Sequence, residues 1–151
     1  MTQDYTYGLL SAINAIIIFA FFSLNAIGDG YWVLLIGAPI ASFFCSVLLW
    51  NIGMKKLKLN TTSKIAIIGT ITGLLIPYVT LIITNIGMNI CYLTTGNCTG
   101  SLNQPPASIF ETILFGYGYA GWFLILYYGW VLIPASVGVG FLTTYINKKK
   151  A

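Results

Sequence analysis

Residues 107–146 read ASIFETILFGYGYAGWFLILYYGWVLIPASVGVGFLTTYI and contain one charged side chain, Glu111. A straight α-helix over this stretch would rise about 60 Å, whereas the hydrocarbon core of a bilayer is about 30 Å thick. The stretch is therefore too long for one plain membrane span. We expect it to divide at the glycines between Gly116 and Gly121, with a short helix before them and a spanning helix after them.

The composition of the whole chain predicts a membrane protein. Hydrophobic residues make up 58% and charged residues 7%, whereas globular proteins carry about 25% charged residues. Apolar runs long enough to span a bilayer, without the two-residue alternation of outer-membrane strands, predict four helices. The expected fold is an all-α four-transmembrane-helix bundle forming a single integral membrane domain over residues 1–151. Its predicted spans cover about 8–27, 31–53, 65–90 and 120–146.

Two clusters of lysine predict the orientation of the chain. All positive charges are lysines, four between the second and third runs and three after the fourth: Lys55, Lys56, Lys58, Lys64, Lys148, Lys149 and Lys150. Because cytoplasmic segments are enriched in lysine and arginine, we expect the lysine loop and both termini to be cytoplasmic. The orientation of the chain in the membrane then explains the net charge of +4, and no nucleic-acid partner is expected.

Cys91 and Cys98 lie in a predicted outer loop, residues 91–106. The predicted topology places this loop in an oxidising compartment, which favours a disulfide between the two cysteines. An unbridged pair is the alternative that the spacing leaves open. The following residues, 107–118, are predicted to form an interfacial or re-entrant helix that makes a bent or re-entrant approach to the last helix.

Small residues recur at four-residue spacing on three of the predicted helices. Such rows let two helix backbones approach closely inside a membrane. The predicted helix-packing residues are Gly37, Ala41, Cys45, Gly69, Gly73, Ser136 and Gly140.

The chain offers few groups for catalysis or for cofactor binding. It has no histidine and no arginine, and its acids are Asp4, Asp29 and Glu111. Acid–base pairs, catalytic triads and the usual haem or copper ligands are therefore not expected. The sequence predicts no enzyme activity, no cofactor and no metal site.

The segment Leu114-Phe115-Gly116-Tyr117-Gly118 resembles the Thr-Val-Gly-Tyr-Gly selectivity filter of potassium channels. The resemblance implies a short pore helix before the glycines and a possible pore segment at Gly116, Tyr117 and Gly118. It departs from the family's pattern because Leu114 replaces the threonine and Tyr119 stands where an acidic residue usually follows. The alternative interpretation is a bend between an interfacial helix and the last span.

These features predict a non-catalytic structural or accessory subunit of a larger membrane assembly that acts through helix packing. An energy-transducing complex or a membrane-associated shell would suit such a chain. The alternative is a small ion or solute channel with a re-entrant segment. The expected partners are other integral membrane subunits or copies of the same chain, together with lipid. The expected location is the plasma or cytoplasmic membrane.

Overall fold

The computed structural model describes residues 2–25, 32–98, 104–115 and 120–149. Four long α-helices and one short one account for most of these residues. They are α1 (Gln3–Asn25), α2 (Trp32–Lys56), α3 (Thr61–Thr95), α4 (Ile109–Phe115) and α5 (Ala120–Lys148).

The four long helices form a bundle in which each has two main neighbours. α1 packs against α2 and α5, and α3 packs against the same two helices. Neighbouring helices run antiparallel: Gly37 lies beside Thr84 while Gly53 lies beside Ile68. α4 lies outside this bundle and contacts α3.

The prediction of four helices long and apolar enough to cross a membrane is confirmed. Their outward faces carry large hydrophobic side chains, among them Ile17, Phe44 and Leu48, which are 64%, 64% and 60% exposed. In water such a surface would be unfavourable, whereas in lipid it needs no cover. The coarse expectation of an all-helical membrane protein therefore agrees with the fold.

The third helix is longer than its predicted span of 65–90. α3 has 35 residues and would rise about 52 Å, so it exceeds the thickness of a hydrocarbon core. Its last turn continues into the predicted outer loop because Thr94 and Thr95 donate hydrogen bonds to the carbonyl of Cys91. Gly96 ends the helix in the left-handed conformation, at φ 71°, and its N–H donates to the carbonyl of Tyr92.

The turn between α2 and α3 is fixed by local hydrogen bonds. Asn60 caps α3, because its side-chain oxygen accepts a 2.8 Å hydrogen bond from the Ser63 N–H. Lys64 Nζ donates to the carbonyl of Met54 at 3.1 Å and so satisfies a group near the end of α2. The lysine loop is thereby held against the bundle.

Candidate functional site

The two glycines of the Gly69-x-x-x-Gly73 motif face α5 of the same chain. A Cβ atom on Gly69 would lie 2.7 Å from the Cα of Val137, and one on Gly73 would lie 2.8 Å from the Cα of Ile133. Only glycine permits backbones this close. The motif therefore serves contact between α3 and α5, and this face is occupied without a second chain.

The other predicted packing residues lie in the interior of the bundle, except for Cys45. Gly37 lies against Thr84, and a Cβ atom on Gly140 would lie 2.8 Å from Cγ2 of Ile65. Ala41 and Ser136 are buried. Cys45 is half-buried and carries a free thiol.

Small hydroxyl residues form a polar section inside the bundle, which we call the polar layer: Ser11, Ser42, Ser46, Thr72 and Ser136. All are at least 96% buried. They come from all four long helices. The bundle interior is thus polar at a depth where a soluble protein would place leucine or isoleucine.

Two apolar clusters adjoin the polar layer. One cluster contains Ala15, Ala38, Ile76 and Leu132, and the other contains Tyr7, Trp50, Ile65 and Ile68. On α1, α2 and α3 the polar-layer residues lie, in sequence, between a member of one cluster and a member of the other. Polar and apolar positions therefore alternate by helical turns along the interior faces of these helices.

Hydrogen bonding within the polar layer is incomplete. Thr72 Oγ1 donates to the carbonyl of Ile68 at 2.7 Å, and the Tyr7 hydroxyl donates to the carbonyl of Ser136 at 3.3 Å. In contrast, the hydroxyls of Ser42 and Ser46 have no hydrogen-bond partner among the described residues, and the hydroxyl of Ser11 lies beside that of Tyr7. Leaving a buried polar group unpaired costs about 1–3 kcal/mol. Within the described part of the bundle, Thr84 also has a buried hydroxyl without a hydrogen bond.

Trp130 is an exposed aromatic residue at the middle of the bundle. Its side chain is 80% exposed. Gly73 lies beside Ile133, and the two helices are antiparallel. Trp130, three residues before Ile133 on α5, is therefore level with Ile76, three residues after Gly73 on α3. By the α2–α3 register, Ile76 is in turn level with Phe44, the middle residue of α2.

Pro134 and Gly138 continue the same face of α5 at four-residue spacing, and both are exposed. A Cβ atom on Gly138 would meet nothing within 4 Å. Pro134 has no N–H, so the carbonyl of Trp130 lacks its usual helical donor. We call Trp130, Pro134 and Gly138 the α5 outer face. A glycine and a carbonyl without its usual helical donor therefore occur on the same face.

The segment before and within α4 runs back along α3. Asn89 Nδ2 donates to the carbonyl of Ala107 at 3.0 Å, and the Tyr78 hydroxyl donates to the carbonyl of Ile113 at 2.9 Å. The two anchoring residues are separated by about 16 Å along the axis of α3. The chain therefore turns back toward the middle of the bundle before α5 begins.

A reciprocal pair of hydrogen bonds starts α4. The Glu111 carboxylate accepts from the Ser108 N–H and from the Ser108 hydroxyl, each at 2.9 Å, while the Glu111 N–H donates to Ser108 Oγ at 3.2 Å. This is a capping box. The donors of Ser108 hold the pKa of Glu111 below its ordinary value.

Cys91 and Cys98 lie at disulfide-bonding distance, with Cα atoms 5.6 Å apart, as the sequence predicts. The bridge joins the last turns of α3 to Cys98, two residues after the Gly96 cap. The possible pore segment, Gly116, Tyr117 and Gly118, lies outside the described residues.

Neither the polar layer nor the α5 outer face is predicted from the sequence. The row Ala38, Ser42 and Ser46 at four-residue spacing contained the information for the first. The sequence signal for the α5 outer face was a tryptophan placed four residues before a proline inside an apolar run. No protein-family model, no curated protein and no solved structure matches this chain.

Proposed function

We propose that this chain is a non-catalytic subunit that binds another integral membrane protein through the α5 outer face. The observation that supports this proposal most strongly is the exposure of Trp130, whose side chain is 80% exposed at the middle of the bundle. Tryptophan is ordinarily enriched at membrane boundaries, where its N–H meets polar groups. In hydrocarbon, both its indole N–H and its backbone carbonyl would lack partners.

The chemistry of this face defines the partner. A transmembrane helix with small residues can approach the α5 backbone at Gly138, where there is open space. A hydrogen-bond acceptor on that helix can meet the Trp130 indole, and a hydroxyl donor can meet the Trp130 carbonyl. Hydrogen bonds between membrane helices contribute about 0.6–2 kcal/mol each, so they support an association that packing drives. A large energy-transducing complex or a membrane-associated shell offers such helices.

The orientation of the subunit follows from its lysines. Gly140 lies beside Ile65, so the end of α5 and the start of α3 share one end of the bundle. Lys64 is at this end as well, and Lys148 closes α5. We propose that this end faces the cytoplasm, together with both termini, because lysine-rich segments are retained there.

Isolation in mild detergent tests the proposal. The native chain is expected to co-purify with an unlike membrane protein at fixed stoichiometry. Trp130→Ala should lose that partner, whereas Phe44→Ala removes an exposed aromatic at the same depth on α2 and should retain it. Isolation as a lone monomer, or equal loss of the partner by both variants, would contradict the proposal.

A second candidate function is a small ion or solute channel. The observation that favours it is the path of residues 107–113, which turn back along α3 from Asn89 toward Tyr78. Such a path suits a re-entrant segment ahead of Gly116, Tyr117 and Gly118. This candidate expects a homo-oligomer that conducts ions in liposomes and a Gly118→Val variant that does not. Purified native oligomers without flux would reject it.

A further inference from the structure

We propose that the polar layer binds ordered water inside the bundle. The inference starts from Ser42 and Ser46, whose side chains are fully buried on α2, and from Ser11, which is 96% buried on α1. Among the residues that the structure describes, Ser42 and Ser46 have no hydrogen-bond partner, and Ser11 has the Tyr7 hydroxyl beside its own. Buried hydroxyls in native proteins are almost always paired, with ordered water serving where protein groups do not.

The neighbouring groups of the layer are suited to hold water. Thr72 Oγ1 and the Tyr7 hydroxyl each donate one hydrogen bond to a carbonyl and keep lone pairs that can accept another. The serine hydroxyls can both donate and accept. A water molecule in this section can therefore find the two to four polar partners that buried water requires.

The side chains of the layer are short. Each long helix contributes a serine or a threonine, whereas isoleucine, leucine, phenylalanine and tryptophan occur in the two apolar clusters. Serine and threonine fill less interhelical volume than these residues, which favours a ligand as small as water.

Water suits the layer better than a cation. The layer contains no carboxylate, and the acids of the chain are Asp4, Asp29 and Glu111. A cation enclosed by neutral hydroxyls would carry an uncompensated charge at low dielectric, which is far more costly than a neutral ligand. Along α1, α2 and α3, apolar residues precede and follow the polar-layer residues, which favours a water that stays in place as part of the structure. This inference does not depend on the proposed partner.

Solid-state NMR of the native chain in lipid bilayers tests the inference directly. Magnetisation transfer from water protons should reach Ser42 and Ser46. It should be much weaker at Ala38 and Ala41, which are equally buried on the same helix. Transfer to the serines no stronger than transfer to these alanines would overturn the proposal.

The direction in which serine substitutions shift Tm gives a second test. If water pairs the hydroxyls, Ser42→Ala and Ser46→Ala each break a hydrogen-bonded network and lower Tm by several degrees. If the layer is dry, each substitution removes an unpaired polar group and raises Tm, which would overturn the proposal. Should a variant fail to fold, the NMR comparison on the native chain still decides.

Discussion

Gly73 and Gly87 are both on α3, but they lie in opposite surroundings. A Cβ atom on Gly73 would lie 2.8 Å from the Cα of Ile133, whereas one on Gly87 would meet nothing within 4 Å. The first glycine is required by a close backbone approach, and the second only lowers helix propensity. The packing of α3 against α5 therefore depends on glycine at the positions where the two backbones meet, and not on glycine elsewhere on α3.

Gly73→Ala should therefore destabilise the bundle by about 1–3 kcal/mol, because the added methyl group must push the backbone of α5 away. Gly87→Ala should be neutral or stabilising by up to about 1 kcal/mol. Reversible unfolding in mixed micelles measures both free energies. Equal effects from the two substitutions would contradict the close α3–α5 contact.

The capping box predicts a pH dependence at the start of α4. Ser108 lowers the folded pKa of Glu111, so the carboxylate stabilises the cap above the unfolded pKa. That contribution is lost as the pH falls through the folded pKa. We expect Glu111 to titrate below an ordinary glutamate and amide exchange in 109–112 to accelerate under acid conditions.

Glu111→Gln supplies the matched control for this titration. Glutamine retains the reciprocal bond to the Ser108 N–H but carries no titrating group. Exchange in this variant should not respond to the same acid range. Titration of Glu111 at or above its ordinary value would contradict the capping geometry.

At the scale of elements, α3 extends beyond α2 at the end of the bundle opposite the lysines. α2 starts five residues before Gly37, and α3 continues eleven residues past Thr84, the neighbour of Gly37. α3 therefore projects about 9 Å beyond α2. Its projecting end receives no support from α2. The Gly96 cap and the Cys91–Cys98 bridge fix it instead.

Reduction of the bridge should loosen this end and leave the bundle intact. Closing so short a loop is worth on the order of 2–3 kcal/mol in chain entropy. We expect faster hydrogen exchange in 92–97 after reduction, with little change in the Tm of the bundle. The double variant Cys91→Ser with Cys98→Ser should exchange fast with or without reductant. Unchanged protection in the reduced native chain would contradict this account.

Across the whole molecule, hydropathy predicted the number of helices but not their ends. A run of apolar residues is needed to cross lipid, so the four spans follow from composition. α3 passes its predicted end at residue 90 because threonine hydroxyls, a glycine cap and a disulfide stabilise helix outside the apolar run. Hydropathy does not register such local bonds.

The sequence also could not predict which helices the small residues contact. The spacing of Gly69 and Gly73 predicts a close helix contact, but it is the same for a contact within the chain and for one between chains. On α2, the rows through Ala41 and through Ser42 have the same spacing. Which row faces the interior depends on how the helices cross. The polar layer is therefore visible only in the packed structure.

We propose that the α5 outer face contacts protein, while the rest of the outward surface contacts lipid. Photo-crosslinking in native membranes tests it most directly, with a benzophenone amino acid at Trp130 or, as the control at the same depth, at Phe44, which is 64% exposed. The account predicts protein adducts from position 130 and lipid adducts alone from position 44. Lipid adducts alone from both positions would contradict it.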